Sequence, residues 1–314
     1  MGGKDADLVR NVLVLGAGAM GCYFAARLIE AGTSVTLVDV DKARIDTLNA
    51  AGLTVIDDHG TRNVPVKAST AQALRDVASM VIVFTKGIHT ATAMQQIAHL
   101  VGPETFALTL QNGLGNAETI AATIGRDHVL FGVTDVPADL VPPAEVHSHG
   151  KGKITLWSME EAGTPQAHML EALFEAAGMS ARADPSTQVA VWEKVAFNAA
   201  LNAPSAILEC PVGGLDSVAG RAIVEAVVEE TVAVAHANKV AVDPTRIMAR
   251  VNHALATHRE HKPSMLQDIL AGRATEIDLI NGAVMAAGEA IGVSTPVTTT
   301  LVHLVRAKEQ FARI

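Results

Sequence analysis

The chain has 314 residues, of which 49% are apolar and 18% charged, and its formal net charge is −9 at pH 7. This length favours two folded domains, and the composition excludes a largely disordered chain. An acidic protein without clusters of Lys and Arg is not expected to bind nucleic acid, because contacts to a phosphate backbone need concentrated positive charge.

The N-terminal segment and the positions of the Cys and His residues argue against secretion and against a metal site. The N-terminal "MGGKDADLVR" lacks the apolar core of a signal peptide, and no apolar run approaches the roughly 20 residues that span a bilayer. Cys22 and Cys210 are far apart, and the histidines lack the spacing and the carboxylate partners of a metal site. We expect a soluble cytoplasmic protein with no metal site, no disulfide and no contact with a membrane.

Short β-branched runs alternate with helical patterns from residue 11 onward. Such alternation predicts parallel strands in βαβ units, because apolar runs of this length between helices are typical of strands buried on both faces. Strands are predicted at 11–16, 34–40, 80–85 and 106–111, and helices at about 19–31 and 41–50. Polar loops follow the last two strands, and ligands bind at such carboxyl ends of strands in open α/β sheets.

The middle of the chain, from about 127 to 157, loses the helical pattern. Further strands are predicted there at 128–134, 145–150 and 153–157. One option is that they pair antiparallel and close the sheet. A helical pattern returns at 164–177.

The last part of the chain, from about 188 to 314, shows amphipathic helices and no convincing strand. Gly and Pro divide it into several pieces. We therefore predict an α/β fold with two domains, a doubly wound sheet domain at 1–187 and an all-helical domain at 188–314.

A glycine-rich motif, "GAGAMG", follows the first predicted strand and opens the first predicted helix. In that setting GxGxxG strongly indicates a dinucleotide site, whereas alone it is weak because 25 glycines produce chance matches. Gly16 suits a tight turn, Gly18 lets the backbone approach a pyrophosphate, and Gly21 allows close packing of helix and strand. The alternative is a doubly wound fold without a cofactor. The residues predicted to bind the cofactor in this Rossmann domain are Gly16, Ala17, Gly18, Ala19, Met20 and Gly21.

Asp39 ends the second predicted strand and bears on the choice of cofactor. A carboxylate there accepts hydrogen bonds from the adenosine ribose and repels the 2′-phosphate of NADP, so it favours NAD(H). Lys86, in "FTKG" after a later strand, could attract that phosphate and leaves NADP(H) open. A solvated loop lysine, or an ion pair with Asp39, explains Lys86 equally well.

The stretch "WEKVAFNAALNAP" places Lys194, Asn198 and Asn202 four residues apart in an alanine-rich helix. Residues at this spacing form one continuous stripe along a helix. Desolvation beside apolar groups lowers the pKa of a lysine toward the range useful for proton transfer, and amides hold a carboxylate or carbonyl without adding charge. The alternative is an ordinary solvated face, since exposed Lys and Asn are common.

Three further polar residues stand at turns or helix starts. Asn112 lies in "LQNGLGN" after the 106–111 strand, where turn chemistry alone would account for it. Ser264 follows a proline at a predicted helix start, and Glu276 precedes an apolar helix. A helix N-cap and a first-turn acid are ordinary explanations for these last two residues.

Together these motifs resemble the ketopantoate reductase family, in order and over nearly the whole chain. The segments that carry the resemblance are "GAGAMG", "TKG", "LQNGLGN", "WEKVAFNAALNAPSAIL" and "SMLQDILAGRATEIDLING". The resemblance implies a Rossmann domain, a helical domain and an NAD(P)-dependent enzyme that reduces a small 2-oxo acid in the cleft between them. It also implies a homodimer.

The resemblance further implies roles for individual residues. Lys194 matches the family's general acid, which protonates the carbonyl oxygen as hydride arrives at the neighbouring carbon. Glu276 matches an acid that orients this lysine and the nicotinamide end of the cofactor, while Lys86 matches a lysine at the adenosine end. The positions that match substrate-binding residues are Asn112, which is also near the cofactor, Asn198, Asn202 and Ser264.

Two departures from the family pattern concern specificity. Many members have a basic residue beside the position of Asp39, and Val212-Gly213 stands where the family often has Asn-Gly as a substrate contact. The leading hypothesis is reduction of a branched 2-oxo acid, with 2-dehydropantoate (ketopantoate), which gives pantoate, as the candidate. The rival hypotheses are an NAD-dependent D-2-hydroxyacid dehydrogenase acting on another C3-branched 2-oxo acid, and a non-catalytic NAD-sensing regulatory protein.

Overall fold

The computed structural model describes residues 11–150 and 152–311. The segment "MGGKDADLVR", in which no signal peptide is expected, lies outside the described residues. The chain forms two compact units: the first contains residues up to Gln111 and Asn116–Thr187, and the second contains Asn112–Gly115 and the residues from Gln188 onward. The predicted division after residue 187 leaves Asn112–Gly115 with the sheet domain, whereas the structure groups this short segment with the helices.

Short strands and helices alternate along the first unit. Its described strands are β1 (Val12–Leu15), β2 (Val35–Val38), β3 (Leu53–Asp57), β4 (Gly60–Val64), β5 (Lys67–Ser69), β6 (Ala78–Val83), β7 (Val101–Thr109), β8 (Val129–Thr134), β9 (Asp139–Val141), β10 (Glu145–His147), β11 (Lys153–Ser158) and β12 (Ser180–Ala183). Its described α-helices are α1 (Ala19–Glu30), α2 (Lys42–Ala51), α3 (Thr90–Gln96), α4 (Asn116–Ile124) and α5 (Thr164–Ala176).

Eight strands form the main sheet, in the order β12-β11-β8-β7-β6-β1-β2-β5. All neighbouring pairs in it are parallel except β8 and β11. The part β5-β2-β1-β6-β7-β8 has the order of a doubly wound sheet whose winding reverses between β1 and β6, and the loops after these two strands therefore lie where such sheets bind ligands. The predicted fold class, a Rossmann domain followed by a helical domain, is confirmed.

The inner strands are apolar because both faces of the sheet are covered. Every residue of Val12–Leu15 and of Val35–Val38 is buried. Phe24 of α1 packs against Phe84 and Phe174, with ring centroids 4.7 and 5.6 Å apart. This packing holds α1, the helix that the glycine motif opens, within the core of the unit.

The strands of the middle segment pair only partly as the sequence predicts. The strand predicted at 128–134 is β8, which pairs parallel with β7 on one side and antiparallel with β11 on the other, so the expected antiparallel pairing is found between β8 and β11. The strand predicted at 145–150 is β10, which joins a separate four-stranded sheet of order β4-β3-β10-β9. Antiparallel pairing in the main sheet is confined to β11, beside β8. Strands such as β4 and β9 escape the sequence pattern because they are short and mostly exposed.

Helices form the second unit, and its described residues include no strand. They are α6 (Thr187–Leu208), α7 (Val218–Ala237), α8 (Pro244–Thr257), α9 (Ser264–Leu270), α10 (Asn281–Ile291) and α11 (Pro296–Phe311). Local signals start two of them: Ser217 caps α7 by accepting from Gly220 N at 3.1 Å, and Asp243 caps α8, which Pro244 begins. Among the described helices, none combines the length and the apolar character that crossing a membrane requires.

Candidate functional site

The loop after β1 and the start of α1 contain two positions where only glycine fits. Gly16 has a φ of +97°, and a Cβ there would lie 2.8 Å from the backbone N of Thr85. A Cβ on Gly21 would lie 1.9 Å from the carbonyl oxygen of Gly16. The turn and α1 therefore pack at backbone contact distance, as a dinucleotide-binding turn requires.

Gly18 differs from the other two glycines of the motif because it faces open space. It is the N-cap of α1 with a φ of −79°, and within the described residues a Cβ built on it would meet no atom within 4 Å. The first backbone N–H groups of a helix have no partner within the helix and readily bind a phosphate, so the space at Gly18 fits a pyrophosphate. The preceding Ala17 is buried, and Ala19 and Met20 form the first turn of α1.

Asp39 follows β2 and accepts three backbone hydrogen bonds. Its Oδ2 accepts from Ala17 N at 2.7 Å, and its Oδ1 accepts from Val40 N and Asp41 N at 2.8 and 2.9 Å. A carboxylate has about four lone-pair positions, so one is left for a ribose hydroxyl. The structure thus adds a role that the sequence pattern does not indicate: Asp39 anchors the glycine turn.

Arg44, in the first turn of α2, also belongs to this region, although it lies outside the glycine motif. Its Nη1 donates to Ala17 O at 2.8 Å, and its Nε lies 4.0 Å from Asp41 Oδ2. The same carbonyl accepts from the thiol of Cys22, and burial raises the pKa of that thiol to about 12. The guanidinium of Arg44 therefore lies at the carbonyl of Ala17, the residue whose N–H is bonded to Asp39. A basic residue shortly after Asp39 is the sequence signal that points to it.

Lys86 follows β6, the neighbour of β1 in the main sheet. It is half-buried and is the N-cap of a 3-10 turn at Gly87–His89. The loop before it passes close to the glycine turn, since Thr85 N is the nearest atom to a Cβ on Gly16. Gln111 holds that loop by donating to Thr85 O at 2.6 Å. The structure therefore brings Lys86 to the same edge of the sheet as the glycine turn.

The polar stripe of the sequence lies on α6, the longest described helix. Lys194 and Asn198 are half-buried, and Asn202 is 5% exposed. Between them, Val195 and Ala199 are buried. An ordinary solvated face would leave long polar side chains exposed. The stripe is instead a line of polar groups that continues into the apolar core of the helical unit.

The loop that holds Asn112 docks on the segment before α10. Leu114 N donates to Leu279 O at 2.9 Å, and Leu279 N donates to Glu276 O at 3.1 Å. Gly113 has a φ of +90°, and a Cβ there would lie 2.2 Å from Leu279 O. Glycine is required at this contact, which brings Asn112 and Glu276 into one part of the helical unit.

Glu276 and Ser264 do not have the capping roles that their sequence positions suggest as alternatives. Helix α10 begins at Asn281, so Glu276 lies outside its first turn, and it is half-buried. Ser264 is exposed and is the first residue of α9, whose N-cap is the preceding proline. Val212 N donates to His261 O at 2.9 Å, in the loop before Ser264. The departure from the family pattern at Val212 thus lies beside the loop that leads to Ser264.

The candidate residues form two sets, each within one unit. The set in the first unit fits a dinucleotide and comprises Gly16, Ala17, Gly18, Ala19, Met20, Gly21, Asp39, Arg44 and Lys86. The set in the second unit offers an amine, amides, a hydroxyl and a carboxylate, and comprises Asn112, Lys194, Asn198, Asn202, Ser264 and Glu276. Within the part of the chain that the structure describes, no three His, Cys, Asp or Glu side chains are grouped to hold a metal ion.

Two family models match the chain, one in each part. The model described as "Ketopantoate reductase PanE/ApbA" matches residues 12–161, and the model described as "Ketopantoate reductase PanE/ApbA C terminal" matches residues 186–309. Two similar relatives are named 2-dehydropantoate 2-reductase. The one from Streptococcus pyogenes is 33% identical over 306 residues, which cover 96% of this chain and 99% of the relative. The one from Halobacterium salinarum is 32% identical over 303 residues, which cover 96% and 99%.

Solved structures with similar folds include a dehydrogenase and a ketopantoate reductase. A D-mandelate dehydrogenase in a ternary structure with NADH and anilino(oxo)acetate has a TM-score of 0.92 and 27% identity, covering 97% of this chain and 100% of its own. A PanE/ApbA family ketopantoate reductase from Ralstonia eutropha JMP134 has a TM-score of 0.89 and 29% identity, with the same coverage of 97% and 100%.

Proposed function

Because the chain belongs to the ketopantoate reductase family, we propose that it reduces a branched 2-oxo acid with hydride from a nicotinamide cofactor. Ketopantoate, which would become pantoate, is the leading candidate substrate. The observation that carries the proposal is the stripe of Lys194, Asn198 and Asn202, an amine and two amides on a largely buried helix. A non-catalytic NAD sensor has no evident need for an amine at that place.

The residues that we propose to hold the cofactor are those that the resemblance to the family implies. The open space at Gly18 fits the pyrophosphate, Asp39 would accept a hydrogen bond from the adenosine ribose, and Lys86 would lie at the adenosine end. Asn112 and Glu276 would lie at the nicotinamide end, with Asn112 also near the substrate. When bound, the cofactor supplies the hydride that the reduction needs.

Reduction of a 2-oxo acid builds negative charge on the carbonyl oxygen as hydride reaches the carbon. Lys194, as the ammonium ion, donates a proton to that oxygen, which completes the hydroxyl group of the product. The substrate is held by neutral hydrogen-bond donors, the side chains of Asn198, Asn202 and Ser264. They stabilise the negative charge that develops on the carbonyl oxygen without placing a second positive charge beside Lys194. Glu276 orients Lys194 through its negative charge.

A second candidate function keeps the chemistry and changes the substrate. Val212, which replaces an Asn frequent in the family, is 2% exposed and apolar, and one structurally similar protein is a D-mandelate dehydrogenase. Both observations favour an NAD-dependent D-2-hydroxyacid dehydrogenase acting on another C3-branched 2-oxo acid. Comparing kcat/KM for ketopantoate, 2-oxoisovalerate and benzoylformate separates the two functions. The highest value for ketopantoate supports the first function, and the highest value for either other acid supports the second.

The choice between the cofactors is proposed to depend on Asp39, with NAD(H) preferred. Asp39→Asn is expected to lower the preference for NADH over NADPH by about tenfold or more, because it removes the charge that repels a 2′-phosphate and keeps one acceptor oxygen. Asp39→Ala loses all three backbone hydrogen bonds, including those that the remaining oxygen of Asn can still accept, so it is expected to weaken the binding of both cofactors. The measurement is kcat/KM for each cofactor.

The matched control for this prediction is Asp46→Asn, because Asp46 is an exposed carboxylate of α2 that pairs with Lys42. Its cofactor preference is expected to equal that of the wild type. A wild type that prefers NADPH would overturn the role proposed for Asp39.

Family membership also leads us to propose that the protein is a homodimer in the cytoplasm. The molecular mass in solution tests the assembly. Twice the mass of the chain would support the homodimer, and the mass of a single chain would contradict it.

A further inference from the structure

Hydrogen bonds around the start of α10 connect segments that carry candidate site residues. Leu279 O accepts from Leu114 N, in the loop of Asn112, and Leu279 N donates to Glu276 O. Two residues after Leu279, the side chain of Asn281 contacts α6. The same short stretch of chain is therefore bonded both to the loop of Asn112 and to the helix that carries Lys194.

Asn281 is fully buried, and its Nδ2 donates to Ala199 O at 3.0 Å. Ala199 lies on α6 directly after Asn198 and three residues before Asn202. The backbone hydrogen bonds of α6 are interrupted in this part of the helix, because Pro204 has no N–H to donate to the carbonyl four residues before it. A side-chain amide from α10 thus donates to Ala199 O, the carbonyl next to that of Ala200, which Pro204 leaves without its intrahelical donor.

Stability alone does not account for an asparagine at this position. Among the described residues, its Nδ2 has a partner but its Oδ1 has none, although both atoms are buried. A buried amide that is only half satisfied costs free energy that an apolar side chain of similar size would not. The adjacent Ile280 and the nearby Val284 are buried apolar residues, so this stretch of chain accommodates apolar side chains. The hydrogen bond to Ala199 therefore serves another requirement.

We propose that Asn281 is a positioning residue of the reductase site, an inference that rests on the proposed function. Its amide fixes α6 at Ala199 and so sets the distance between the turn from Asn198 to Asn202 and the segment that carries Glu276. The substrate-holding amides and the acid that orients Lys194 keep their geometry only while this link holds. A displacement of about 1 Å in such a constellation lowers a rate by about 10²-fold.

Asn281→Leu tests this role. It is expected to lower kcat by about 10²-fold and to raise KM for the 2-oxo acid, while NADH still binds. Its unfolding temperature is expected to equal or exceed that of the wild type, because the half-satisfied amide is gone. A merely structural role would give the opposite pattern, a lower unfolding temperature with the wild-type kcat in the folded protein.

The control is Asn238→Leu, since Asn238 Nδ2 also donates to a helix carbonyl, Val234 O at 2.9 Å, but from an exposed position at the end of α7. Its kcat is expected to equal that of the wild type. A folded Asn281→Leu with the wild-type kcat would overturn the positioning role.

If Asn281→Leu does not fold, Asn281→Ala, which lacks the amide donor and introduces no charge, is judged by the same kcat criterion. Failure of both variants to fold would also overturn the role, because the fold itself would then require the amide. A wild type without turnover on any 2-oxo acid would refute the proposed function together with this role. An active wild type with an unaffected Asn281→Leu would refute the positioning role alone.

Discussion

Lys194→Ala is expected to lower kcat by at least about 10²-fold, while NADH still binds. The amine supplies the proton that the carbonyl oxygen receives, so its loss leaves the developing charge to neutral donors alone. NADH binding is expected to persist because the glycine turn belongs to the first unit and Lys194 to the second. The measurements are steady-state turnover of a 2-oxo acid and titration of the protein with NADH.

Lys194→Arg separates proton donation from positive charge. Arginine keeps the charge but does not release its proton in the accessible pH range, so kcat is expected to stay low. Lys42→Ala is the control, because Lys42 is an exposed lysine of α2, and its kcat is expected to equal that of the wild type. An unchanged rate in Lys194→Ala would refute the assignment of the proton donor. An unchanged rate in Lys194→Arg would limit the role of Lys194 to its charge.

The second large effect is expected at the glycine turn, where two Gly→Ala substitutions act in different ways. Gly21→Ala places a Cβ 1.9 Å from Gly16 O, so the backbone must shift, and a loss of stability of about 3 kcal/mol or more is expected. Gly18→Ala meets open space at a φ of −79°, which alanine adopts readily, so the fold is expected to persist. Its methyl group would take the place of the pyrophosphate, and the affinity for NADH is expected to fall by about tenfold or more.

Thermal unfolding and NADH titration of both variants check these expectations, and each variant is a control for the other. A stable Gly18→Ala with wild-type affinity would contradict the pyrophosphate site at the start of α1. A Gly21→Ala with wild-type stability would contradict the close packing of α1 on the turn.

The glycine motif could be predicted from the sequence because its determinants are local. A strand, a turn and a helix within a short stretch define the path of the backbone, and Gly16 has the positive φ that such a turn demands. The hydrogen bonds of Asp39 and Arg44 to Ala17 could not be predicted in the same way. They depend on how the end of β2 and the start of α2 lie against the turn, which the spacing of residues does not specify.

Contacts between distant segments explain the remaining differences. The spacing of Lys194, Asn198 and Asn202 predicts one helical face, but the burial of Asn202 follows from helices later in the chain. The hydrogen bond between Leu114 N and Leu279 O joins residues that are far apart in sequence. The glycines on either side of Leu114 predict a turn but not the segment on which that turn docks. The pairing of β10 with β3 likewise joins strands that are far apart in the sequence of the sheet domain.

The most direct test of the reductase function is oxidation of NADH by the wild-type protein when branched 2-oxo acids are added, with the product identified. We expect NADH to be oxidised with formation of an equal amount of the corresponding 2-hydroxy acid, and a higher kcat/KM with NADH than with NADPH. No oxidation of either cofactor in the presence of ketopantoate, 2-oxoisovalerate or benzoylformate would contradict the proposed function.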